Sequence, residues 1–415
     1  MKILSAIIAH PLRKVSGATN AGFELSLATA AKVDLDLAIM WDRDETEQVG
    51  PLTVRRFNST TRVDWAGSRI PRFIRVPLYD SRIPEAMAEG GYDLVHIHNM
   101  VPTFAAARLA AECQRRAVPY VISTHGFYEI QRYAEINGFG MVKSFLIDHV
   151  MTRPFRRAVA GASAICALSD CEVPSLRELG VAEKNIHVVT NGVKEYFLET
   201  PPEAELGAAR VKYKLGSQPL LLFMGSLHAY KGVDIFLRSL PMVPGEYQAV
   251  VAGSFKSEDE KSALLHRTGA APETLRRLTF TGRVTDAELR ALYHLATMLV
   301  YPTMGDTLPL VVLEAMACGL PVVSTRIGGI PFAVRPETGI LVEPGDPFAV
   351  SQAVNAYLQN DRLRKAAGDA GRARVRQVFR WPSAAISAVG VYEKVLNKTV
   401  PMARMAASAS PQRFG

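Results

Sequence analysis

At 415 residues the chain is too long for one typical hydrophobic core and implies two or three domains. Hydrophobic residues at 48% and charged residues at 21% describe an ordinary folded protein. The sequence has no apolar run of about 18 residues, which excludes a membrane-spanning helix. The net charge of +8 is modest for this length, and no recognised nucleic-acid-binding motif accompanies it, so nucleic acid is not an expected partner.

The first apolar run, residues 3–9, has strand length and is followed by His10, Arg13 and Lys14 with no small-residue cleavage site, so it predicts a buried strand and not a signal peptide. Strand-like runs then recur at 35–40, 94–98, 120–123, 164–168 and 187–189, separated by helix-like stretches. This rhythm predicts a parallel sheet with crossover helices, and hence an α/β domain whose site lies at the carboxyl ends of its strands. Asp34 with Asp36, and Asp42 with Asp44, read as Asp-x-Asp, a pattern short enough to arise by chance. Between Arg55 and Arg82 seven arginines face only Asp64 and Asp80, interleaved with Phe57, Trp65, Phe73 and Tyr79. This stretch reads either as a surface for anionic lipid or an anionic acceptor, or as a solvated arginine-rich helix and loop. His96 and His98 alternate onto one face of a strand end, where histidines are more often hydrogen-bonded than metal-bound. Cys113, Cys166, Cys171 and Cys318 are scattered without zinc or redox spacing, which points to a reducing cytoplasm and no structural metal.

From about 194 to 218 the pattern breaks at Pro201, Pro202 and Gly207, which predicts a linker. Strand-like runs resume at 220–224, 247–252, 278–281, 298–301 and 321–324, predicting a second α/β domain. A final helix is expected over 381–396, and the small, polar last residues read as a disordered tail.

The most informative stretch is 305–319, where Asp306 and Glu314 stand eight residues apart. A helix beginning near Pro309 would carry Glu314 on its first turns and leave Asp306 in the loop before its N-terminus. Unpaired amides and the helix dipole favour a phosphate at such a point, and the two acids can accept hydrogen bonds from hydroxyls on either side of it. A sugar diphosphate nucleotide has that order of hydroxyl, phosphate and hydroxyl. Other markers surround it in order: Leu168-Ser169, Asn191-Gly192-Val193, Phe223-Met224-Gly225-Ser226-Leu227, Lys231-Gly232-Val233-Asp234, Phe280-Thr281-Gly282-Arg283-Val284, Tyr301-Pro302-Thr303, Gly319-Leu320-Pro321-Val322-Val323 and Gly328-Gly329.

In that order these residues resemble the retaining GT-B glycosyltransferases of family 4, over nearly the whole chain and most strongly from 164 to 381. The resemblance implies two Rossmann-like domains facing a central cleft. Residues 1–195 would bind acceptor, 196–218 would link, and 219–378 would bind the nucleotide sugar. Residues 379–397 would form a helix crossing back to the first domain, and 398–415 a disordered tail. It further implies that Gly225, lacking a side chain, lets backbone approach a phosphate, that Ser226 beside it belongs to the donor site, and that Lys231 meets the growing leaving-group charge. Asp306 would contact the transferred sugar and Glu314 the ribose. Thr307, Leu308 and Leu310 would serve sugar and phosphate through backbone groups; Pro309 has no N–H to donate. Arg283 and Val284 would line the base. In the first domain His125 would meet the donor sugar or stabilise developing positive charge, while Gly17 and Gly22 would stand in the glycine-rich acceptor loop.

The implied activity is transfer of a sugar from a nucleotide diphosphate sugar to a glycan or lipid-linked acceptor in polysaccharide or glycoconjugate biosynthesis, with no metal and no cofactor. The expected location is cytoplasmic, with membrane association on the cytoplasmic face left open. Two residues depart from the family pattern. Asp306 is one methylene shorter than the commoner Glu, and Ser226 replaces an arginine that partners Lys231, removing a contact worth about 1.5–3 kcal/mol unless His228 or Arg283 compensates. The rival reading is a catalytically weak or inactive nucleotide-binding subunit of a glycan-assembly complex, which would bind nucleotide without turnover. A phosphorylase-like enzyme would need a cofactor lysine and a longer chain.

Overall fold

The computed structural model describes residues 1–9, 16–61, 75–127, 152–255 and 257–408. It divides into two compact units, Met1–Asn191 with Trp381–Gly415, and Gly192–Arg380.

The first unit is built on strands β1 (Lys2–Ala9), β2 (Asp34–Trp41), β3 (Glu45–Val49) and β4 (Leu52–Asn58), with a small ribbon of β5 (Thr60–Thr61) and β6 (Tyr79–Asp80). Strands β7 (Leu94–Val101), β8 (Tyr120–Ser123), β9 (Ala164–Ala167) and β10 (Ile186–Val188) complete it. The main sheet runs β10-β9-β8-β7-β1-β2-β4-β3. Only β3 is antiparallel to its neighbour. Strands β1, β8 and β9 are apolar along most of their length because helices cover both faces of a parallel sheet, and their residues are buried accordingly; β7 is buried too but carries His96 and His98.

At the edge, β3 reads Glu-Thr-Glu-Gln-Val and alternates in exposure, a charged strand that blunts further pairing. The register sets Glu45 opposite Arg56, and Arg56 pairs with Glu47 at 2.5 Å while its guanidinium lies over Trp41. The arginine-rich stretch is therefore neither helix nor loop at its start: Arg55 and Arg56 belong to β4, and Arg82 pairs with Asp44 at 2.7 Å. Arg62, Arg69 and Arg72 lie outside the described residues.

Helix α1 (Gly17–Ala30) is capped by Ser16, whose hydroxyl accepts from the Thr19 amide. Gly17 and Gly22 are thus helix residues and not members of a loop. Gly17 opens the first turn, and Gly22 faces β7, where an added Cβ would sit 3.1 Å from the His98 Cβ.

The second unit holds β11 (Leu220–Met224), β12 (Gln248–Ala252), β13 (Leu278–Gly282), β14 (Met298–Tyr301), β15 (Val322–Thr325) and β16 (Gly339–Val342), all parallel, in the order β13-β12-β11-β14-β15-β16. That is the doubly wound order of a dinucleotide-binding sheet, with its topological switch between β11 and β14.

Two sequence expectations are corrected here. The segment 196–218 is not a free linker: it carries helix α2 (Glu203–Tyr213), packed on helix α3 (Asp286–Leu295) inside the second unit. The proline pair Pro201-Pro202 that suggested a break serves instead as the entry to α2, with Pro202 at its N-cap. Glu205 of α2 grips the buried Arg290 of α3 through two contacts of 2.9 and 3.1 Å. The last helix, α4 (Trp381–Ser408), belongs to the first unit and continues well past 398, where a disordered tail was expected; 409–415 lie outside the described residues.

Arg290 has a side chain only 5% exposed, so Glu205→Ala would leave a guanidinium buried without its carboxylate. We expect a loss of about 2 kcal/mol in stability, since Glu205 itself remains partly solvated, read as a lowered urea midpoint of the second unit. A free linker would show no such loss.

Candidate active site

The switch point of the second sheet brings together the predicted donor residues Gly225, Lys231 and Asp306. Gly225 follows β11 and donates its amide to Ala252 at 3.0 Å, and Ser226 next to it is exposed. Lys231 ends the turn that follows, and Gly232, with φ +80, then starts a helix. A Cβ on Gly232 would lie 1.9 Å from the carbonyl oxygen of Pro302, so the loop after β11 is pressed backbone to backbone against the loop after β14. Thr303 and Met304 stitch the same two loops together by donating to the Tyr230 carbonyl at 3.0 and 2.8 Å.

This contact brings Lys231 to Asp306. The ammonium donates to Asp306 Oδ2 at 2.6 Å, with both side chains about four-fifths or more buried, at 16% and 15% exposure. Tyr301, at the end of β14, donates its hydroxyl to the same oxygen at 2.8 Å, and the Thr307 amide donates to Oδ1 at 3.1 Å. Both carboxylate oxygens are thereby oriented. From the far side Gly328, with φ +54, packs against the Asp306 carbonyl, and the Gly329 amide donates to the Thr307 carbonyl at 2.5 Å.

Helix α5 (Leu310–Ala317; chain order places it between α3 and α4) starts as the sequence predicted, with Pro309 at the N-cap. No side chain caps it and its first turn has no acid. The amides of Leu310 and Val311 have no intrahelical acceptor, so they and the dipole favour an anion there. Thr307 and Leu308 are buried. Glu314, half-buried on the same helix, accepts from the Tyr293 hydroxyl at 3.1 Å. Desolvation pushes its carboxyl up to about 7, partly offset by that hydrogen bond. Arg283 and Val284 follow β13 on the side of the sheet beyond β12; Arg283 is exposed and Val284 half-buried.

In the first unit, His96 and His98 do share one face of β7, with ring centroids 4.0 Å apart. His96 is hydrogen-bonded through Nδ1 to the Tyr392 hydroxyl at 2.6 Å and through Nε2 to Ser123 Oγ at 2.8 Å. Among the described residues no cluster of three or more His, Cys, Asp or Glu could hold a metal ion. His125 follows β8 with φ +39, in the left-handed region that a residue with a Cβ rarely adopts, and Gly126 continues at φ +97. Backbone outliers of this kind cluster at functional sites, and this one lies at the carboxyl end of a central strand. The bend is clamped by Glu172, which accepts from Thr124 Oγ1 at 3.0 Å and from the Leu168 amide at 2.6 Å. The His125 Nε2 meets His98 Nδ1 at 2.9 Å. Burial holds His125 down at about 4 and keeps His98 well below the usual histidine range, so both rings are neutral at pH 7.

Two Rossmann-like units, one carrying a lysine, an oriented aspartate and an open helix N-terminus at its switch point, define a GT-B sugar-transferring class. Residues 15–195 match the family described as Glycosyltransferase Family 4, and residues 218–360 that described as Glycosyl transferases group 1. A D-inositol 3-phosphate glycosyltransferase of Xylanimonas cellulosilytica is 31% identical over 331 residues, covering 75% of this chain and 74% of that protein. An O-antigen chain mannosyltransferase B of Escherichia coli is 30% identical over 203 residues, 48% of this chain and 51% of the relative. Among solved structures, a sucrose-phosphate synthase of Thermosynechococcus elongatus superposes with TM-score 0.75 at 21% identity, covering 96% of this chain and 100% of its own. Anabaena HepE in complex with UDP-glucose superposes with TM-score 0.70 at 17% identity, covering 95% and 99%. The chain belongs to the family 4, group 1 glycosyltransferases and is a GT-B enzyme of that family.

Two residues that hold the predicted acids were not assigned roles by sequence: Tyr301 and Tyr293. Tyr301 sits at a strand end beside a recognised motif, and that position was the available signal. Tyr293 lies inside α3 and gives no such signal.

The ordinary carboxyl value of 4.5 and the raised value of about 7 at Glu314 fix a sign. The folded state holds the proton more tightly, so this group's contribution to stability is complete below 4.5 and is lost as pH rises through about 7. Glu314→Gln is therefore expected to gain thermal stability relative to wild type as pH goes from 5 to 8, with little difference at the acid end. A melting-temperature difference that is flat across that range would refute the assignment.

Proposed function

We propose that the protein takes its sugar from a nucleotide diphosphate sugar bound in the second unit and passes it, with retention of anomeric configuration and without a metal or cofactor, to a hydroxyl of a glycan or lipid-linked acceptor. The observation that carries this reading is the Lys231–Asp306 pair at 2.6 Å beside the uncapped start of α5. Lys231 and the first amides of the helix meet the charge that grows on the diphosphate as its bond to the sugar breaks. Asp306, its oxygens aimed by Tyr301 and Thr307, accepts from sugar hydroxyls, and Glu314 accepts from ribose. In the first unit, His125 serves the substrate through a hydrogen bond. In this scheme the acceptor oxygen forms its bond to the anomeric carbon as the phosphate leaves, and the acceptor proton goes to a phosphate oxygen. No glycosidase-type pair of carboxylates is then required.

The HepE complex is with UDP-glucose and the Escherichia coli relative is an O-antigen mannosyltransferase, which supports a nucleotide donor and a role in glycoconjugate or polysaccharide assembly. Cytoplasmic placement draws support from four free cysteines. Among the described residues no helix is long and apolar enough to cross a membrane. Peripheral membrane contact through 55–82 rests on charge alone, and two of its arginines, Arg56 and Arg82, are engaged by acids.

Wild type incubated with a panel of UDP- and GDP-sugars and mixed acceptors should give product, with the anomer read by NMR. Lys231→Ala and Asp306→Asn should each lower kcat by about 10²–10³-fold while the protein stays folded. Nucleotide binding without turnover across the panel would instead make the chain a non-catalytic binding subunit. Full activity in both variants would remove the site assignment.

A further inference from the structure

The reading above leaves His98 without a task. Its ring is fully buried, packed against Gly22 of α1 on one side and His96 on the other. Its Nδ1 meets His125 Nε2 at 2.9 Å. Two nitrogens of this pair, His98 Nε2 and His125 Nδ1, are buried with no hydrogen-bond partner among the described residues. A buried polar atom without a partner is costly, and an apolar side chain at 98 would fill the same space without that penalty. Packing alone therefore does not account for an imidazole here.

Since both rings are neutral, one proton is shared across the 2.9 Å contact, and two arrangements exist. If His125 Nε2 donates, the second proton of the pair lies on His98 Nε2, an N–H sealed in the core. If His98 Nδ1 donates, His98 Nε2 becomes a bare lone pair and the unpaired N–H moves to His125 Nδ1, on the less buried ring at the bend after β8. Each arrangement leaves one N–H and one lone pair unpaired, and the two differ in where the N–H falls: on His98 in the core, or on His125 at the bend after the strand, where a substrate oxygen can accept from it.

We propose that His98 is a positioning residue that donates from Nδ1 to His125 Nε2, locking His125 as the Nδ1–H tautomer so that it offers the substrate a hydrogen-bond donor and not a base. The ligand chemistry this selects is an oxygen acceptor, such as a sugar hydroxyl or phosphate oxygen. The inference rests on the reading that His125 contacts the substrate, and the experiment separates the two.

In wild type, ¹⁵N-detected imidazole spectra should show His125 with a protonated Nδ1 and an unprotonated Nε2 at pH 7; the opposite tautomer overturns the proposal whatever the kinetics. His98→Leu should lower kcat about tenfold with KM within about twofold, as expected for a lost orienting hydrogen bond. His98→Asn, whose amide nitrogen falls near the position of Nδ1, should recover most of that loss. Equal loss in both, or loss confined to KM, would leave His98 a packing residue and refute the role. If His98→Leu fails to fold, the wild-type tautomer and the Asn variant still decide. His125→Ala is read separately: unchanged transfer there would refute the contact of His125 with substrate, while lost transfer with the wrong tautomer would refute only the part given to His98.

Discussion

The close approach of backbone to backbone at the switch point of the second sheet governs what the rest of that unit can do. Gly232 against the Pro302 carbonyl, and Gly328 against the Asp306 carbonyl, leave no room for a side chain. Three loops, after β11, β14 and β15, are held as one rigid platform in consequence. Lys231 and Asp306, 75 residues apart in sequence, meet within a hydrogen bond because the chains that carry them touch. Side-chain packing could tolerate a methylene more or less; main-chain contact cannot, and that is why glycine punctuates each loop.

On this platform the polar groups are arranged to restrain one another. Tyr301 and the Thr307 amide spend their donors on Asp306, and Tyr293 spends its on Glu314. Each acid keeps further lone pairs for another donor, since a carboxylate accepts about four hydrogen bonds. The helix that starts at Leu310 adds a dipole that no side chain neutralises. The framework under the site is a set of buried β-strands, including the fully buried Leu299, Val300, Val322 and Val323.

Much of this was legible in the chain. The strands at 120–123, 220–224 and 298–301 matched residue for residue, because an apolar run of strand length between helix-like stretches has few other solutions in an α/β protein. The helix after Pro309 was legible for the same reason. Strand β3 was not, since an edge strand of alternating charge carries the composition of a loop, and in β4 the adjacent Arg55 and Arg56 interrupt the apolar run. Helix α2 was hidden by prolines that mark helix entry as readily as a break, and its packing partner Arg290 lies 85 residues downstream of Glu205. The placement of Gly17 and Gly22 failed because a glycine pair after a first strand fits either a phosphate loop or a helix that must approach a sheet closely; the His98 ring beside Gly22 decides for the second. Lys231 and Asp306 do meet, at 2.6 Å, but the tyrosines that hold Asp306 and Glu314 required coordinates.

The hydrogen bond between His96 and Tyr392 joins residues 296 positions apart, with all of the second unit threaded between them. During synthesis the whole of 192–380 therefore emerges from the ribosome before the helix that completes the first unit exists. The later-encoded unit is free to fold as an uninterrupted segment, while the earlier-encoded one must wait with part of the face that α4 covers open to water. Order of manufacture and order of completion are thus reversed in this chain, and the histidines at the heart of the first unit are sealed last.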